Sequence, residues 1–137
     1  MVRPRSELLF VIALTAFGTF LRLWHLSTFP DGFHNDEGNV ILDAQRIARE
    51  GWIGAWSVNA AGYPIAVNYW VAPFVKVMGL GVLTVRLPMA LLGIATIPAA
   101  YYAYRVAAGW RVAVCASVLL TVSLWHLHLS RVGFPAI

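Results

Sequence analysis

Asp36 and Glu37 stand side by side in the stretch Phe33-His34-Asn35-Asp36-Glu37-Gly38-Asn39, between an apolar segment and an amphipathic one. All six acidic residues (Glu7, Asp31, Asp36, Glu37, Asp43 and Glu50) fall within the first fifty positions. Charge is costly near a bilayer and is seldom kept there without a use, so an acidic pair at a membrane surface is a candidate for chemistry. A carboxylate so placed could accept a proton from a substrate hydroxyl or hold a divalent cation. The competing explanation is structural. Acidic residues at a helix N-terminus cap free N–H groups and complement the dipole.

Helical periodicity supplies the element that positions the pair. Val40, Ile41, Ala44, Ile47 and Ala48 fall on one face, which predicts an amphipathic helix over Asp36 to Glu50 with Asn35 or Asp36 as its N-cap. Asp43–Arg46 and Arg46–Glu50 are spaced for pairs on the opposite face, and Gly51 is a natural stop.

The surroundings are a membrane chain by composition. Hydrophobic residues make up 60% of the 137 positions and charged residues 12%, about half the charge of an average soluble domain. The ten basic residues are scattered singly, which argues against nucleic acid as a partner. Cys115 lies in an apolar run and reads as a small core residue. Spans are expected at about 8–26, 85–107 and 111–129. The first run is long and ends in bulky Leu23-Trp24-His25-Leu26, which favours an uncleaved span over a signal peptide. In the second, Pro88 suits a first helical turn and Pro98 a kink, and Ala95, Ala99, Ala103 and Ala107 form a small-residue stripe for a close helix neighbour.

Pro64 to Leu80 is apolar but short, with Asn68, Pro73 and Lys76 inside it. Three spans put Arg105 and Arg111 on the same side as Arg3 and Arg5, as the positive-inside rule requires, so this segment is expected to lie in the interface or re-enter. The fold expected is an all-α multi-pass membrane protein. It has three transmembrane helices, and juxtamembrane helices sit in an outer loop at about 27–84. The ending at Gly133-Phe134-Pro135-Ala136-Ile137 suggests the N-terminal part of a longer protein.

Several strings together resemble a known family. Arg22-Leu23-Trp24-His25-Leu26, Pro30-Asp31-Gly32 and Asp36-Glu37-Gly38 resemble the opening of the GT-C glycosyltransferases, nearest the protein O-mannosyltransferase and aminoarabinose transferase group. Pro64 to Trp70 is similar to the proline-led juxtamembrane helix, Val85 to Pro88 to the entry of the second span, and Leu129 to Arg131 to the end of the third. The resemblance implies transfer of a sugar from a polyprenyl-phosphate carrier to a protein or lipid acceptor on the outer face of the membrane. It implies that Asp36 acts as base or positions the acceptor, with Glu37 in support. The lipid phosphate leaves, so the site needs cations, and Arg22, Arg86 and Arg131 are available near outer span ends. The alternative for each is snorkelling to the headgroups.

His34 could touch substrate or metal, whereas His126 and His128 at i, i+2 point apart on a helix and make a poor metal pair. No metal-ligand set is assigned, and a divalent cation is the only cofactor the residues suggest. The expected location is the plasma membrane, of the bacterial inner-membrane type. In the aminoarabinose branch an acidic-basic pair precedes the juxtamembrane proline, where this chain has Gly62-Tyr63. Two other functions fit the composition: a transport or cation-binding protein, and a non-catalytic structural membrane subunit.

Overall fold

The computed structural model describes residues 4–59 and 62–133. They form six helices: α1 (Pro4–Leu23), α2 (Asn35–Glu50), α3 (Ala66–Met78), α4 (Val82–Ala108), α5 (Trp110–Val122) and α6 (Leu124–Leu129). No strand occurs among the described residues, only an isolated antiparallel bridge between Trp56 and Pro64. Two helices are long and apolar enough to cross a membrane, Arg5–Leu23 and Val82–Ala108.

α1 and α4 run antiparallel. At one end Arg105 grips Glu7 with two hydrogen bonds of 2.9 Å each, joining the start of α1 to the end of α4. At the other end Arg131, just beyond α6, donates to the carbonyls of Leu21 and Trp24 at the end of α1. Close approach along this bundle depends on glycine. A Cβ at Gly18 would run into Ile97, and one at Gly93 into Ser130. The buried face of α4 is therefore Val85, Met89, Gly93, Ile97 and Tyr101, one residue per turn. The alanine stripe expected to pack (Ala95, Ala99, Ala103, Ala107) is exposed instead. The bundle chose the face that carries Gly93 and the larger apolar side chains, because that face both approaches closely and buries more area.

The run expected as one span at 111–129 is two helices. Gly109, at φ +84°, makes the turn into α5, and Ser123 breaks the helix and caps α6. Cys115 is exposed on α5, not a core residue as its neighbours suggested. At about 1.5 Å per residue, α3 and α5 are each roughly 20 Å long, short of a ~30 Å hydrocarbon core.

The other half of the structure is a compact cap on the α1/α4 end. The apolar stripe of α2 (Val40, Ile41, Ala44, Ile47) meets Val71, Ala72 and Val75 of α3 and Val85 and Met89 of α4. Gly51, at φ +81°, stops α2 as the sequence indicated, its N–H bonded to the Ile47 carbonyl at 2.8 Å. The hairpin that follows is pinned by Tyr69, whose hydroxyl accepts from Ile53 N–H at 2.9 Å and donates to the Gly54 carbonyl at 2.8 Å. Trp70 of α3 donates to the Pro88 carbonyl at 3.0 Å, which docks the cap on α4.

Candidate active site

The N-cap of α2 is His34, one residue before Asn35 and two before Asp36, the two expected candidates. That shift places Asp36 and Glu37 at the second and third helical positions. Their side chains then diverge by about 100° around the axis, and their environments differ completely.

Glu37 is fully buried and carries out the structural role. It accepts from the His34 N–H at 3.0 Å, half of a capping box, and from the Gly133 N–H at 3.1 Å. It also forms a two-pronged ion pair with Arg86, Nε to Oε1 at 2.8 Å and Nη2 to Oε2 at 3.1 Å. Burial works to raise this carboxyl, but Arg86 and the two backbone donors outweigh it and hold it below the ordinary glutamate value. Arg86 spends its remaining N–H groups on the carbonyls of Leu26, Pro30 and Gly32. All five guanidinium donors thus have protein partners. One arginine on α4 fixes both the loop after α1 and the start of α2.

Asp36 is half-buried and has no hydrogen-bond or ion-pair partner among the described residues. It lines a cavity of about 280 Å³ together with His34, Glu37, Trp125, His128, Leu129 and Val132. The cavity is therefore walled by the start of α2 on one side and by α6 on the other. Trp125 and His128 are one helical turn apart, which puts both on the cavity face, while His126 points into the bundle. A free carboxylate, two imidazoles and an indole around one cavity can accept a proton, donate hydrogen bonds and stack on a ring.

The arginines expected to meet substrate are all buried. Arg22 donates to the Gly18 carbonyl at 3.1 Å and to His126 Nδ1 at 2.8 Å, and its Nε is buried without a partner. His126 Nε2 lies 3.1 Å from Thr96 Oγ1, whose own proton goes to the Gly93 carbonyl. Since Arg22 can only donate, His126 is neutral here, with its proton on Nε2. Arg131 donates to Leu21, Trp24 and Phe29 carbonyls at 2.5–2.9 Å. Burial, then the nearby Arg86, push its guanidinium below the ordinary arginine value. None of the three snorkels outward. Of the six residues singled out in the sequence, only Asp36, Glu37 and His34 share the cavity.

Asp43 departs from its expected surface pairing with Arg46. It is fully buried and accepts from Ser57 Oγ, from Asn59 Nδ2 at 2.7 Å and from Asn68 Nδ2 at 3.2 Å. It joins α2 to the hairpin and to α3. Only Arg46–Glu50 forms on the exposed face, at 2.9 Å. Helical spacing could not separate the two cases, because Asp43 sits next to the apolar stripe. Trp125 and His128 were also missed, although their i, i+3 spacing was the available signal. Among the described residues no three His, Cys, Asp or Glu side chains converge as metal ligands. No family model, curated protein or solved structure matches this chain.

Proposed function

We propose that the protein is a multi-pass plasma-membrane glycosyltransferase that moves a sugar from a polyprenyl-phosphate donor to an acceptor on the outer face. Asp36 serves as the base on the acceptor hydroxyl or as the group that positions it. The observation that carries this reading is the division of labour at positions 36 and 37. Glu37 already satisfies the helix terminus and neutralises Arg86, so Asp36 is not needed as a cap. It faces a cavity unpaired, on a helix start that Arg86 holds rigid, and an oriented, partner-free carboxylate is what proton abstraction requires.

The cavity wall suits a sugar-phosphate ligand. Trp125 offers an apolar ring face, and His34 and His128 offer donors to phosphate or hydroxyl oxygens. Arg86 and Glu37 act in this scheme as positioning residues. The apolar character of α1 and α4, and the basic end formed by Arg5, Arg105 and Arg111, support an arrangement with the cavity on the outer side. The cation-transport alternative asks for charges at mid-membrane on broken helices, whereas Asp36 lies outside both apolar helices. The test is sugar transfer from a polyprenyl-phosphate donor by the complete protein, comparing wild type with Asp36→Asn at equal expression. Near-normal turnover in the variant would remove the central residue of this reading.

A further inference from the structure

A second cavity, of about 500 Å³, opens at the C-terminal end of α1 and is lined by Trp24, His25, Thr28, Phe29, Asp31 and Arg131. It shares no residue with the Asp36 cavity. Two features of its wall are chemically unfinished. Arg131 is only 6% exposed, its Nε is buried without a partner, and its other donors meet neutral carbonyls alone. No described carboxylate pairs with it. A buried guanidinium without a counter-ion is costly and calls for an anion. In the same cavity wall Asp31 is exposed and has no partner of its own among the described residues. Trp24, also in that wall, is 59% exposed and presents an aromatic ring, a surface that attracts ammonium groups.

The wall therefore offers an unbalanced cation, a free carboxylate and an indole to one cavity. The cavity sits where an apolar helix long enough to cross a membrane ends, the depth of headgroups and interfacial aromatics. We infer that this cavity holds the headgroup of a zwitterionic phospholipid with a primary ammonium, its phosphate toward Arg131 and its ammonium toward Asp31 and Trp24. The inference rests on the membrane placement proposed above and not on the sugar chemistry. A free phosphate would leave Asp31 unmatched, and an anionic headgroup would set a second negative charge near it.

The test is native mass spectrometry of the complete protein released from nanodiscs holding equal phosphatidylethanolamine, phosphatidylcholine and phosphatidylglycerol. Wild type should retain one phosphatidylethanolamine with a preference of roughly tenfold over the other two, the scale of one charge-assisted contact. Asp31→Asn should erase that preference without lowering thermal stability, since Asp31 bonds to no described residue. Asp31→Lys should turn the preference toward phosphatidylglycerol. Equal retention of all three lipids by wild type would overturn the inference. So would an unchanged ethanolamine preference in both variants.

Discussion

Adjacent carboxylates on a helix need not share a task, because one residue's turn separates what each can reach. Glu37 meets a guanidinium and two N–H groups, and Asp36 meets a cavity. Under the proposed function, Asp36→Asn should cut sugar transfer by about 10²-fold or more, the contribution of a general base. It should change stability by less than about 1 kcal/mol, the worth of a charge in a helix's first turn. Turnover and thermal unfolding measured on the same preparation separate the two effects. Glu37→Gln should behave oppositely. It leaves Arg86 buried without its counter-charge, a loss of about 3–5 kcal/mol, seen as a lower unfolding midpoint in detergent. The Glu37 carboxyl is held below its ordinary value in the fold. Its contribution is therefore complete above the unfolded glutamate range and is lost as pH falls through the depressed native value. Acid unfolding of wild type, compared with the Gln variant, should show this difference in slope. A wild type and a variant with parallel acid profiles would mean that the pair contributes no linkage.

At the scale of elements, one device holds the cap together and another holds the bundle together. The first is Asp43, which gathers Ser57, Asn59 and Asn68 and so joins α2, the hairpin and α3. Asp43→Ala strands the buried Asn68 Nδ2 donor, at about 1–3 kcal/mol. It should lower the unfolding midpoint and loosen the hairpin, read as faster amide exchange over Gly51 to Tyr63. The second device is the glycine face of α4. Gly93→Val should cost about 1–3 kcal/mol, because the added atoms meet Ser130. Ala99→Val, on the exposed stripe, should stay within about 0.5 kcal/mol. Equal effects of the two substitutions would mean that α4 packs through the wrong face. The alanine spacing in the sequence was real, but it marked helicity rather than the contact surface. Which face packs depends on what the neighbouring helix brings, and α1 brings Gly18 opposite Ile97.

For the whole molecule, the bundle puts the start of α1 beside the end of α4, and the cap with both cavities at the opposite end. With Cys115 replaced by Ser, single cysteines at 36 and 111 should label from opposite faces of the membrane, position 36 from outside. Labelling of both from one face would undo the proposed topology. The sequence alone determined the helical class, the two long apolar helices, α2 with its glycine stop, and Asp36 and Glu37 as the pair to watch. These are local properties, set by composition and by a period of about 3.6 residues. Only the tertiary structure decided that Glu37 is bound to Arg86, forty-nine positions away, and that Asp36 has no partner among the described residues. It alone brought Trp125 and His128 to the cavity, buried Asp43 away from Arg46, and broke the third apolar run at Ser123. Each of these depends on partners distant in the chain. A carboxylate's role is set by whichever donors the fold brings within about 3 Å of it, and sequence spacing carries no record of them.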